Sequence, residues 1–173
     1  MKVEKIVVGQ LEENCYILRK DNKVLIIDPG DEINKIKDAI GESEIVGVLI
    51  THNHFDHIGA LSYFNKNIIY NFTNLEEKEY NLNDFIFNVI HTPGHSSDSI
   101  SYYFNNINSL FSGDFIFYES VGRCALPTGD YNIMKESINK IKKYNDNIII
   151  YPGHGEETTI KHEIENNIYF KEV

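Results

Sequence analysis

Three imidazoles and one carboxylate fall within six consecutive positions: His52, His54, Asp56 and His57, in the run Thr51-His52-Asn53-His54-Phe55-Asp56-His57. Neutral imidazole nitrogen and carboxylate oxygen are ordinary ligands for small divalent cations. His52 and His54, two apart in an extended loop, can point the same way and hold one ion. Asp56 and His57 would start the following helix and face the same cavity. A single small ion cannot accept all four groups from so short a loop, whereas two adjacent ions can share them, so the spacing predicts a binuclear site. Further ligands stand where apolar runs meet Gly or Pro: His95 in Thr92-Pro93-Gly94-His95, Asp114 in Ser112-Gly113-Asp114, and His154 in Pro152-Gly153-His154-Gly155. Such contexts make tight turns that present a side chain at a sheet edge. Asp114, being a carboxylate, can bridge two cations; an imidazole does not. Of the remaining histidines, His91 is expected to hydrogen-bond near the site and His162 to lie on a helix surface. Cys124 reads as a passive loop thiol.

These residues must be positioned by strands and helices, and the apolar spacing places them. Lys2–Val8, Asn14–Lys20 and Lys23–Asp28 read as an antiparallel meander, the last two joined by the hairpin turn Asp21-Asn22. Asp31–Ile40 has helical spacing, and Glu44–Ile50 is a strand running straight into the histidine cluster. Ile58–Phe64 predicts a short helix, and Asn67–Asn71, Asp84–Ile90, Ser99–Phe104 and Ser109–Ser112 predict strands. Tyr131–Lys143 is an amphipathic helix capped by Asp130. Asn147–Tyr151 is a final strand, and Thr158–Phe170 closes as one helix with Ile160, Ile164 and Ile168 on a stripe. Interleaved strands and helices argue for layered α/β architecture.

The chain has 173 residues, 42% apolar and 24% charged, which suits one domain with a sizeable core. Its net charge of −10 and lack of a basic cluster make a nucleic-acid or anionic-membrane partner a poor fit. No apolar run approaches the roughly 18 residues a membrane span needs. Two cysteines build no disulfide framework, and Glu4, Glu12 and Glu13 interrupt the N-terminal segment where a signal peptide needs a continuous apolar core. A cytoplasmic protein acting on a small molecule is the expectation; nothing in these residues sets an oligomeric state.

The order H-x-H-x-D-H, T-P-G-H, S-G-D and P-G-H-G, with Asp28-Pro29-Gly30 upstream, resembles the metallo-β-lactamase superfamily over nearly the whole chain. The resemblance implies an αβ/βα four-layer sandwich over residues 1–173 with two metals at one edge of the sheets. His52, His54 and His95 would hold the first metal and Asp56, His57 and His154 the second, with Asp114 bridging. A metal-bound hydroxide would be the nucleophile, since a cation lowers the pKa of bound water from about 15.7 to near 7. Asp56 keeps a free oxygen to orient that nucleophile or take its proton.

Details of the resemblance point away from β-lactamases proper. Asp114 stands where many zinc β-lactamases carry Cys. Gly122–Asp130 resembles the G-R-x-D-x-P-x-G-D loop of small glyoxalase II-like hydrolases, with Ala125 replacing the acidic residue. Thr158, Thr159, Glu163 and Asn166 resemble their C-terminal segment, while Ser96-Ser97-Asp98-Ser99 departs from the T-x-G that usually follows T-P-G-H. The helical glutathione-binding domain of full glyoxalase II enzymes is not expected, because 15 residues follow Thr158. Arg123 either meets a substrate carboxylate or forms a structural salt bridge to Asp130. Phe117 and Tyr118 are expected as aromatic walls. The leading expectation is a hydrolase of small acyl thioesters with two zinc ions, iron and manganese accepting the same ligands. Lactone or other ester hydrolysis, or a di-iron oxidoreductase with a separate flavoprotein, are the rivals.

Overall fold

The computed structural model describes residues 1–173. The meander forms as expected from β1 (Lys2–Val8), β2 (Glu13–Lys20) and β3 (Lys23–Ile27). After α1 (Ile33–Ile40), β4 (Glu44–Leu49) joins β3 in parallel and β5 (Ile69–Tyr70) joins β4, giving a sheet in the order β1-β2-β3-β4-β5. The second sheet contains β6 (Glu79–Leu82), β7 (Phe85–His91), β8 (Ile100–Phe104), β9 (Ser109–Gly113), β12 (Ile149–Pro152) and β13 (Thr158–Thr159). Its order is β13-β12-β9-β8-β7-β6, and a two-stranded ribbon, β10 (Ile116–Phe117) with β11 (Ser120–Val121), stands beside it.

Strand alternation explains why both faces of each sheet are apolar. On β2, Tyr16 and Leu18 face the second sheet, where they meet Phe87, Tyr102 and Phe111, while Cys15 and Ile17 face Ile36 and Ile40 of α1. The outer face of the second sheet packs Ile90, Leu110 and Ile150 against Met134, Ile138 and Ile141 of α3 (Tyr131–Ile141). Helix, sheet, sheet and helix thus form four layers, the αβ/βα sandwich. Asp130 caps α3 as expected, its carboxylate accepting from the N–H groups of Asn132 (2.8 Å) and Ile133 (3.2 Å).

Several elements differ from the sequence expectation. In place of one helix over Ile58–Phe64 there is a single turn, α2 (Phe55–Ile58), which Asp56 and His57 open as expected, then a 3₁₀ turn at Leu61–Tyr63. The C-terminal helix is broken into α4 (Ile160–Asn166) and α5 (Ile168–Lys171) after the short strand β13. Asn167 causes the break. Its buried amide donates to Ser120 O and Glu163 Oε2 while its side-chain oxygen accepts from Tyr169 N–H, which starts a new helix. Ile168 consequently leaves the apolar stripe and is 61% exposed. The edge strand β6 and the ribbon β10–β11 were not expected, because their arms are short and only half apolar.

Candidate metal centre

One edge of the sandwich collects the C-terminal ends of β3, β4, β7, β9 and β12 together with the start of β2. Each end delivers a polar side chain: Asp28, the His52–His57 run, His95, Asp114, His154 and Glu13. All seven residues expected as ligands meet there. His54 Nδ1 lies 3.0 Å from His52 Nε2 and 2.9 Å from His95 Nε2. A second group forms where His57 Nε2 lies 3.8 Å, and His154 Nε2 3.3 Å, from Asp56 Oδ2. Asp114 stands between the groups, Oδ1 3.3 Å from His57 Nε2 and 3.6 Å from His154 Nε2, Oδ2 3.5 Å from His95 Nε2.

The surrounding hydrogen bonds fix which ring nitrogen faces inward. His95 Nδ1 donates to Arg123 O (2.8 Å) and His154 Nδ1 to Leu11 O (3.0 Å), since a carbonyl can only accept. His57 Nδ1 donates to Asp28 Oδ2 at 2.9 Å. Thr51 Oγ1 gives its proton to Asp28 Oδ2 (2.6 Å) and so accepts from His52 Nδ1 at 3.1 Å. Four of these histidines therefore aim Nε2 at the centre, and His54 aims Nδ1. Asn53 is tied to Asp98 Oδ2 through its backbone N–H (3.1 Å) and its side-chain amide, so the unusual Ser96–Ser99 segment holds the loop carrying His52 and His54.

Burial holds His52 and His95 below the ordinary histidine pKa, so their inward nitrogens are free lone pairs at neutral pH. For His57 burial pulls the same way, but Asp114 and Asp28 outweigh it and raise the imidazole well above its usual value. Burial lowers His154 too, and its bond to Asp56 reverses the sign. Burial acts to raise Asp114, yet His57 and its neighbours hold it far below the usual carboxylate range. Asp56 is likewise held below its usual value, the bond from His154 outweighing desolvation.

This arrangement fits two cations. Four carboxylates (Glu13, Asp28, Asp56, Asp114) surround His57, and no Lys or Arg pairs with any of them. His57 Nε2 and Asp114 Oδ1 are buried polar atoms without a hydrogen-bond partner. Ligand atoms of His52/His54/His95, of Asp56/His57/His154 and of His52/His57/Asp114 each lie within 4.8 Å of one another. Glycine lets the loops approach so closely: a Cβ at Gly153 would overlap Asp114 Oδ1 and lie 2.7 Å from His57 Cε1, and one at Gly30 would fall on the carbonyl of Asp56.

Above the centre lies a cleft of about 680 Å³ walled by Leu11, Phe55, Phe117, Val121 and Leu126, with Arg123 at its rim. The Arg123 guanidinium is exposed and makes no ion pair; Asp130 instead spends its carboxylate on the α3 cap, so the salt-bridge alternative is not realised. Phe117 lines the cleft, but Tyr118 does not; it stacks on His162 with ring centroids 4.8 Å apart. His162 also reaches Glu119 Oε1 at 3.0 Å. His91 contributes nothing at the site: its Nε2 is buried without a partner and its ring packs on Phe72. Asp28 and Glu13 are the residues that sequence reasoning missed. A carboxylate closing the apolar run Val24–Ile27 carried the signal for Asp28; Glu13, beside Glu12, reads as one more surface charge but is 1% exposed.

Residues 8–85 and 70–154 match the sequence family described as the metallo-beta-lactamase superfamily. A probable metallo-hydrolase of Streptococcus pyogenes serotype M6 is 32% identical over 98% of this chain and 90% of its own length. The hydroxyacylglutathione hydrolase GloC of Haemophilus influenzae is 29% identical over 96% of this chain and 97% of its own. Among solved structures, the BLEG-1 B3 metallo-beta-lactamase superposes with a TM-score of 0.93 at 31% identity, covering 98% of this chain and 99% of that one.

Proposed function

The chain belongs to the metallo-β-lactamase superfamily, and on that premise we propose that it is a binuclear metal-dependent hydrolase of small acyl thioesters. The observation that carries the proposal is Asp114, which turns one carboxylate oxygen to the His57/His154 group and the other to His95 at the floor of an apolar cleft. His52, His54 and His95 would hold one ion, Asp56, His57 and His154 the other, and Asp114 both. When bound, such ions supply an acidified water and a Lewis acid for the carbonyl oxygen. We take zinc as the metal; the His/Asp donor set also suits iron or manganese.

The protein's own groups do the rest. Asp56 is ionised at neutral pH; its Oδ2 faces His57 and His154, and its other oxygen would accept a proton from the attacking water and pass it to the departing thiolate. Asp28 holds the ring of His57 through Nδ1 and so fixes the direction of Nε2. Leu11, Phe55, Phe117 and Leu126 exclude water from the acyl chain, and Arg123 can grip a carboxylate on the substrate bidentately. A thioester suits this floor because a thiolate leaves readily. The hydroxyacylglutathione hydrolase among the relatives supports the thioester class. Cys15 and Cys124 are free thiols, in keeping with a cytoplasmic setting. No helix is long and apolar enough to cross a membrane.

β-Lactam opening is the second reading, favoured by the structural likeness to BLEG-1. Steady-state kinetics on metal-analysed protein with short acyl thioesters, lactones, a chromogenic β-lactam and a phosphodiester decides between them. Thioesters are expected to give the highest kcat/KM; a β-lactam or a lactone turned over efficiently with no thioester cleavage overturns the reading.

A further inference from the structure

Within its own sheet the loop that carries His154 is held by one bond, Gly153 N–H to Gly113 O at 2.9 Å, and its remaining backbone bonds come from the opposite sheet. The loop Pro152-Gly153-His154-Gly155 has glycine on both sides of the histidine, and Gly155 has φ +77°, so its neighbours in sequence leave His154 free to swing. Asn14, at the start of β2 and 1% exposed, takes three of the four carbonyls of this loop. Its backbone N–H donates to Gly153 O at 2.7 Å, and its side-chain amide donates to Pro152 O and to Gly155 O, both at 3.0 Å. Tyr16 adds a bond from its hydroxyl to Pro152 O at 2.7 Å. The β1–β2 turn supplies Leu11 O, which accepts from His154 Nδ1.

A side-chain amide is one of the few groups that can present two N–H donors from one plane at this reach. Both are spent on carbonyls that flank His154 on either side. We propose that Asn14 is the positioning residue for His154, bending its loop so that Nε2 faces Asp56 and Asp114 and completes the second metal's ligand set. The inference rests on the reading of His154 as a metal-holding residue. It extends that reading to a group that touches neither metal nor substrate.

The test titrates metal-free protein with cobalt(II), following metal content after dialysis and the visible d–d absorption. Wild-type protein is expected to take up two equivalents with two distinct spectral steps. Asn14→Ala and the isosteric Asn14→Asp, which lacks both donors, should bind the first equivalent with an unchanged spectrum and the second about 10- to 100-fold more weakly. A purely structural role would lower thermal stability and leave the second spectral step in place. Should Asn14→Ala and Asn14→Asp fail to fold, Tyr16→Phe removes only the bond to Pro152 O, and it should weaken the second equivalent about tenfold. The proposal is overturned if the second equivalent binds folded Asn14 variants, or Tyr16→Phe in their stead, within twofold of wild type. If the wild-type protein and His154→Ala both bind a single equivalent alike, the binuclear reading itself has failed, a result distinct from any behaviour of Asn14.

Discussion

Asp56 and Asp114 are both held ionised by histidines, yet their places differ: Asp114 lies between the two groups, whereas Asp56 Oδ2 faces only His57 and His154 and borders the cleft. Asp56 is therefore the carboxylate with an oxygen to spare for proton transfer. Asp56→Ala should lower kcat by about 10²- to 10⁴-fold while circular dichroism stays native, because the core lies elsewhere; near-wild-type turnover would refute the role. Arg123 is expected to act on binding alone, being exposed and unpaired. Arg123→Ala should raise KM about tenfold for thioesters bearing a carboxylate, by loss of a charge-assisted bond, and leave kcat and neutral substrates unchanged. Equal losses for charged and neutral substrates would instead mark a structural part for the loop.

At the scale of elements, the ends of β9 and β12 meet at Gly153, where there is no room for a methyl group. Gly153→Ala should push Asp114 and His57 apart and release metal, read as a fall from two ions per chain by elemental analysis; an unchanged ratio would show that the loop can give. The inner faces of the sheets carry a different signal. Tyr16 and Tyr102 are buried phenols bonded to Pro152 O and Ile50 O, each 2.7 Å away, and burial raises both well above the ordinary tyrosine value. In the unfolded chain they ionise near pH 10, so the stability they contribute is whole below that pH. It drains above it, by about 1.4 kcal/mol per pH unit for each phenol. Urea unfolding between pH 9 and 11 should show this slope, and Tyr102→Phe should lessen it; a flat profile would contradict the burial argument. The strands that feed the site were legible because β3, β4 and β12 are mostly apolar runs that lead straight into Asp28, Thr51-His52 and Gly153-His154, and β2 and β7 keep apolar cores at Cys15–Leu18 and Val89–Ile90. Their partners β6 and β10–β11 were not, since a half-exposed edge has little apolar pattern to read. The break at Asn167 was hidden for another reason: the residue keeps helical spacing in the sequence, and only its bonds to Ser120 and Glu163 across the fold override it. In the site, ligands stood out by residue type and Asp28 by closing an apolar run, whereas Glu13 and Asn14 act through burial and long-range partners that no local window contains.

For the molecule as a whole, the carboxylates around His57 make the metal-free edge a concentration of like charge. Removing both metals with a chelator should lower the thermal midpoint by about 10–20 °C, from roughly 2.7 kcal/mol for each of two ions at a free metal concentration 100 times Kd. Differential scanning calorimetry of loaded and stripped protein reads this directly, and coincident midpoints would argue against metals bound across the sheets. His52, His54, Asp56 and His57 come from the first sheet and His95, Asp114 and His154 from the second. Between His52 and His154 lie 101 intervening residues. A ribosome must therefore make all of that intervening stretch, and both sheets must dock, before the seven side chains can meet. A nascent chain that has emerged only through the histidine motif carries four of the seven side chains and cannot assemble the set, so the centre cannot form until His154 has been made and the second sheet has docked.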